Sequence, residues 1–418
     1  MADVSPEAEL ALLLTATSTT RQRLRARITE LAELIDEDAF VSFLRYQRIV
    51  LLAGMRLAEI APHAPSERFH HRLAQARANA RAGALLFATA SRHLTDALER
   101  EGIPAVELKG AALAGDLHGD SALRAYADID VLVPAGKLNE AAAAACRLGW
   151  REPAAALADA RPTLHRWLDH PDGALPVLEL HWRVHWYETR FAEAMLSRSR
   201  VVDGARRLEP VDQFAALLLF YARDGFNGLR LAADIGAWWD RYADANTPRD
   251  LGRLVVEHPE LGEAWRVALT TVSSLVGLPT TTISASLHPR TRRGALACRL
   301  RNWDLRGDVD QIHANVSLVD GLLSPRQQLA AFVRRYVILP QLELSKTYGF
   351  APDSRLRVAC WRAWHPVKMI MRYVLGLARL AGGRSWSALP ASLRHAPKAA
   401  GAAPDRGRAA SAPRTRSW

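Results

Sequence analysis

Cysteine is scarce: Cys146, Cys298 and Cys360 are the only 3 in 418 residues, far apart and in no C-x-x-C pair. That excludes a disulfide framework and a cysteine-built zinc site, and all three are expected to be packing residues in a reducing compartment. Long apolar runs are missing as well. Residues 214–222 are too short to span a bilayer, and 267–288 is interrupted by Thr, Ser and Pro279, so no transmembrane helix is expected. The first residues have no basic region ahead of an apolar stretch, which removes the secretory-signal reading and leaves a cytoplasmic protein as the expectation. There is no G-x-x-x-x-G-K loop, no G-x-G-x-x-G turn and no internal repeat. His165, His170, His181 and His185 do not fall at a zinc-ligand spacing.

What is present is length, ordinary globular composition and positive charge. With 49% hydrophobic and 24% charged residues, the chain can form two or three packed units. The formal net charge of +11 first reads as a nucleic-acid signal, but its distribution argues otherwise. Between 384 and 418 lie 7 Lys or Arg against one acid, in an Ala-, Pro-, Gly- and Ser-rich tract expected to stay unfolded. Such a tail touches nucleic acid or an anionic membrane weakly through charge, or is simply solvated. No aromatic-interleaved basic motif accompanies it.

Hydrophobic spacing divides the rest into a helical region (1–101), a core of alternating strands and helices (102–209), a second helical region (210–383) and the basic tail (384–418). A helix is expected from about Thr20 to Leu34, and a long one from Ser66 to Leu98, stopped by Glu101-Gly102. The alanine-rich stretch from Leu138 to Leu148 reads as a helix on the sheet, and Gly149-Trp150-Arg151 starts an extended piece. Loops are expected near Pro248, Pro279 and Pro352. Trp238, Trp239, Trp265, Trp303, Trp361 and Trp364 most simply supply core area, although any of them suits stacking on a base. The stretch 361–380 mixes Trp, Met, Tyr and Leu with Arg362, Lys368, Arg372 and Arg379. That composition fits an interfacial amphipathic helix and, equally, a last packed helix.

The most informative segment is Tyr126-Ala127-Asp128-Ile129-Asp130-Val131-Leu132-Val133. Its apolar residues mark a buried strand, and side chains alternate faces along a strand, so Asp128 and Asp130 point the same way. Adjacent like charges repel and call for a cation. Magnesium is the natural candidate, because it takes oxygen ligands and is commonly held by one or two carboxylates plus substrate phosphates; manganese is the alternative ion. A third acid, Glu179, stands alone among apolar neighbours in a second strand, 176–182. If the strands pair, Glu179 joins the aspartates; otherwise the aspartates cap a turn and Glu179 pairs with a cation such as Arg183. His181, two residues on, shares Glu179's face and is either structural or a substrate contact.

Upstream, the strand 103–108 runs into Lys109-Gly110, and a helix begins at Ala111. The N–H groups of Gly110 and Ala111 can face an anion there. Lys109 adds a point charge suited to phosphate, and Arg124 a planar fork for two phosphate oxygens. Alternatively, Gly110 is a bare strand-to-helix turn and Lys109 is solvated.

The order Leu108-Lys109-Gly110, Arg124, Asp128-Ile129-Asp130-Val131-Leu132-Val133, Glu179-Leu180-His181-Trp182-Arg183 resembles the uncharacterised nucleotidyltransferase family of the DNA polymerase β-like superfamily. The resemblance covers about residues 103–183. It implies an α+β fold, a mostly helical chain around a small mixed-sheet nucleotidyltransferase core. It implies further that Asp128, Asp130 and Glu179 ligate magnesium and that the Gly110 turn holds the phosphates of an NTP. Lys109-Gly110-Ala111 departs from the Gly-Ser or Gly-Gly of the wider superfamily, so no hydroxyl or second glycine reaches the phosphates. Residues 230–235 resemble a helix that follows the core in such proteins; Asp234 there is either a substrate contact or a residue on an exposed helical face. The segment 220–224 lacks a histidine expected from the family.

The function this implies is metal-dependent transfer of a nucleoside monophosphate from an NTP to an acceptor, with pyrophosphate released. The acceptor is left open among small molecule, sugar, peptide and protein. Two other classes stand beside it: a catalytically silent nucleotide-binding or interaction protein of the same fold, and a nucleic-acid binder acting through the basic tail.

Overall fold

A computed structural model describes residues 5–153, 164–279, 287–299, 309–351 and 353–381. Pro352, Trp303 and the basic tail 384–418 lie outside the described residues. The architecture is α+β, with a small mixed sheet between helical regions. The strands are β1 (Val106–Glu107), β2 (Asp128–Leu132), β3 (His165–Leu168) and β4 (Val177–His181), in the spatial order β1-β2-β4-β3. A separate hairpin, β5 (Arg200–Val202) and β6 (Ala205–Arg207), turns through Asp203 and Gly204, both at positive φ.

β2 and β4 are parallel and central, so a crossover must join them. The helix Leu138–Arg147 lies in that crossover and buries Ala141, Ala142, Ala144 and Ala145, whose small side chains let it approach the sheet closely. Together with Leu94 and Leu98 of the helix Glu67–Arg100, these alanines cover the face carrying Ile129, Val131, Leu178 and Leu180. The 67–100 helix begins where expected, with the Ser66 hydroxyl accepting from Phe69 N at 3.1 Å. The other face of the sheet carries the alternate residues of β2 and β4. Beyond it packs the helix Pro210–Arg223, buried without interruption from Phe214 to Ala222, and behind that Arg230–Tyr242 and Gly262–Val276. Phe214 stacks on Trp238 at 4.2 Å, and Trp265 donates to Ala215 O at 3.0 Å.

The N-terminal helices form their own cluster around Leu10, Leu14, Phe40 and Leu57, which takes in Leu229. Thr17 N donates to Val276 O at 2.9 Å and Leu229 N to Gln47 Oε1 at 2.9 Å, tying the first helices to the later ones.

Several local expectations need correction. The helix expected from Thr20 to Leu34 is two, Ser18–Arg23 and Arg25–Leu34, because Leu24 leaves helical geometry at φ −102°, ψ 19°. The strand expected over 103–108 pairs only at Val106 and Glu107. Pro248 starts a helix, Thr247–Glu257, where its missing N–H costs nothing. Cys146 and Cys360 are exposed and not packing residues, since each falls on the outward side of its helix. Trp238 and Trp265 are core, whereas Trp364 is half exposed.

Candidate active site

Register decides the geometry of the acids. In the parallel pairing Asp128 stands beside Val177 and Asp130 beside Glu179, so the third acid sits directly across from the second aspartate. β3 adds His165 opposite His181 and Trp167 opposite Glu179. One sheet face thus gathers three carboxylates and two imidazoles.

Asp130 is 2% exposed and Glu179 8%, so their charges need partners. Asp130 Oδ1 lies 3.1 Å from Lys109 Nζ and 3.0 Å from His181 Nε2. Burial pushes Asp130 up, but Lys109 and His181 outweigh it and hold the carboxyl far below the usual range. Glu179 Oε2 lies 3.3 Å from His181 Nε2 and 3.4 Å from His165 Nδ1. Here too burial raises, while His181 and His165 pull the group down to about 2. Asp128 goes the other way: burial, then the charges of Asp130 and Glu179, raise it. The two aspartates of the D-x-D are therefore electrostatically unequal.

His181 is completely buried, its Nε2 between two carboxylates and its Nδ1 3.3 Å from Arg183 O. All of these neighbours accept, so both ring nitrogens donate and the imidazolium is favoured; burial opposes this, but the bonds to Asp130 and Glu179 raise the group. His165 behaves oppositely, pushed down to about 4 by burial despite Glu179. Its Nδ1 is buried and lacks hydrogen-bond geometry to any described group. His165, Glu179 and His181 hold three donor atoms within 4.8 Å of one another, a spacing compatible with one metal ion.

The Gly110 turn is built on a fourth carboxyl that the sequence did not single out. Gly110 has φ 102°, and a Cβ there would run into Glu107 Oε1. Glu107 also accepts from Ser91 Oγ and from Ala112 N at 3.3 Å, and burial raises its pKa. Glycine is required by both backbone conformation and space. Helix Ala111–His118 starts from this turn.

Arg124 and Asp234 are placed together. Arg124 Nε donates to Asp234 Oδ2 at 2.8 Å, and His118 Nε2 lies 3.0 Å from Asp234 Oδ1. Asp234 is 1% exposed, not on an exposed helical face. Burial raises its pKa, yet Arg124 and His118 bring it to about 2. The segment lacking the expected histidine supplies Phe220 instead: Lys109 Nζ lies 4.4 Å and the Arg223 guanidinium 4.8 Å from its ring centroid. Arg223 was also missed by sequence reasoning. Its Nη1 is buried without a hydrogen-bond partner among the described residues, and its charge helps to hold Asp130 down.

A family model described as uncharacterised nucleotidyltransferase matches residues 33–271, more than half of the chain. No curated protein and no solved structure matches.

Proposed function

The chain belongs to the uncharacterised nucleotidyltransferase family, and from that premise we propose that it transfers a nucleoside monophosphate from an NTP to an acceptor hydroxyl in a divalent-metal-dependent reaction that releases pyrophosphate. The observation that carries this reading is the register of Glu179 against Asp130, which joins a third acid to the D-x-D on one buried face. Asp128, Asp130 and Glu179 are the residues that would hold the ion, and the donor chemistry fits: three carboxylates share one buried face where Lys109 and the two imidazoles touch Asp130 and Glu179, an oxygen-rich set suited to a hard cation. Such an ion offsets charge on the leaving pyrophosphate and lowers the pKa of the attacking hydroxyl. The neutral imidazole of His165 beside Glu179 shifts the preference from Mg2+ towards Mn2+ or another first-row ion.

The chain's own groups do the rest by position and charge. Gly110 and Ala111 offer backbone N–H groups and a close approach for phosphate. Arg223 supplies positive field around the phosphates, whereas Arg124 is held in its pair with Asp234. Lys109, now on Asp130, exchanges that carboxylate for a phosphate oxygen when the nucleotide enters.

A second reading, a silent nucleotide binder of the same fold, draws on Ala111 in place of a serine and on Lys109 seated against Asp130. Incubation with each NTP, Mg2+ or Mn2+ and a cell extract, followed by pyrophosphate measurement and mass identification of the modified acceptor, separates the two. Metal-dependent release abolished by Asp130→Asn is expected. NTP binding with no release under any metal overturns the transferase reading.

A further inference from the structure

The last described helix, Arg355–Ala381, has two apolar faces and only one of them is packed. On the inner face Val358 joins Leu344 and Phe350, Met369 is buried, and Gly376 lets the helix close on Leu318. His365, also buried, lies between Tyr348 Oη at 2.7 Å and Tyr336 O at 3.0 Å. Half a turn away, Trp364, Val367, Ile370, Met371, Val374 and Leu375 are each 44–59% exposed. Their spacing of three and four residues makes one continuous stripe. Scattered exposed apolar residues need no explanation, but a contiguous row of large ones marks a contact surface.

Charge identifies the occupant. The helix RLRVACWRAWHPVKMIMRYVLGLARLA contains six Lys or Arg and no acid. Arg357 and Lys368 fall beside the apolar stripe by helical phase, Arg362 is exposed on the same helix, and the sequence that follows, 384–418, adds 7 basic residues against one acid. A second copy of the chain laid face to face would set cations against cations. A nucleic acid would meet the basic rim but leave the apolar stripe in contact with water. A surface that is apolar inside and anionic outside satisfies both parts. Among the described residues no helix, this one included, is long and apolar enough to cross a membrane, so the contact lies in the plane of the surface.

We propose that the outward face of the 355–381 helix docks the protein on an anionic lipid bilayer, the apolar stripe entering the headgroup boundary and the Lys and Arg rim contacting lipid phosphates. At about 1.5 Å per residue the helix lays roughly 40 Å of surface along the membrane. Attraction of the basic rim adds about 1 kcal/mol per cation near the surface and is weakened by salt.

The test is flotation of the full-length protein with phosphatidylcholine vesicles, with and without phosphatidylglycerol. Binding to the anionic vesicles alone is expected, lost by about ten-fold or more in Ile370→Asp/Val374→Asp. These side chains are exposed, so helical circular dichroism and the unfolding midpoint should not move. Should the midpoint fall, Arg357→Glu/Arg362→Glu, at two exposed positions, gives the same test through charge. Undiminished binding by both variants assigns the attraction to residues 384–418 alone and overturns the proposal. So does failure of the wild type to float, including the case of a dimer that the face variant makes monomeric.

Discussion

Two buried charge clusters lie within this fold, and they are built on opposite principles. Around Asp234, one carboxylate is met by Arg124 at 2.8 Å and His118 at 3.0 Å, so the negative charge is fully answered. On the sheet face, Asp128, Asp130 and Glu179 share Lys109 and His181, and the result is uneven: Asp130 and Glu179 are held ionised while Asp128 is raised. A cluster with its charges matched holds helices together. A cluster with acids crowded on one face is costly unless something else binds there, and the difference distinguishes structural acids from candidate functional ones.

That contrast can be broken most severely at Asp130. Asp130→Asn should reduce pyrophosphate release by about a thousand-fold, roughly 4 kcal/mol, since one preorganised charged group is commonly worth that much. The unfolding midpoint of Asp128→Asn should hold or rise, because burial and the charges of Asp130 and Glu179 disfavour its ionised form; a large fall in that midpoint would remove the distinction between the clusters. Asp234→Asn should do the reverse, costing about 3 kcal/mol in denaturant unfolding by stranding Arg124 and His118.

Acid sharpens the same comparison. Asp234 titrates at about 2 when folded against an ordinary 3.8, so the unfolded chain protonates first as pH falls. Its contribution is complete above about pH 4 and is lost towards pH 2, a loss of about 2 kcal/mol by linkage. Subtracting the stability–pH curve of Asp234→Asn from that of the wild type should isolate it, and parallel curves would show that the pair is not coupled to folding. The smallest effect is expected at His165, beside Glu179: His165→Ala should weaken Mn2+ affinity about ten-fold with little change for Mg2+. Equal weakening for both ions would remove the imidazole from the metal's surroundings.

The D-x-D strand, Glu179 and the Lys-Gly turn were legible in the sequence because each stands out locally: charges in an apolar strand, or a glycine between a strand and a helix. Legibility stopped where meaning depends on register and distance. That Asp130 faces Glu179, and not Arg183 facing it, follows only from parallel pairing of strands separated by a crossover. Asp234 reads from its helix pattern as either a substrate contact or a residue on an exposed face, yet it is buried and paired with Arg124 from 110 residues away. Glu107 looked like an ordinary strand residue until the turn folded back onto its carboxyl. Phe220 and Arg223 gave no motif at all, since a ring under a lysine and an arginine beside an aspartate are tertiary facts. The long helix 67–100, in contrast, announced its start through Ser66, a cap chosen by the backbone three residues on.

The central claim is that the clustered carboxylates on the sheet face bind a nucleoside triphosphate through a divalent ion. Calorimetric titration of NTP into the purified chain, with and without Mg2+ or Mn2+, tests it most directly. The account predicts binding that requires the ion and disappears in Asp128→Ala at an unchanged unfolding midpoint. NTP binding of equal strength without any metal, retained in Asp128→Ala, would contradict it.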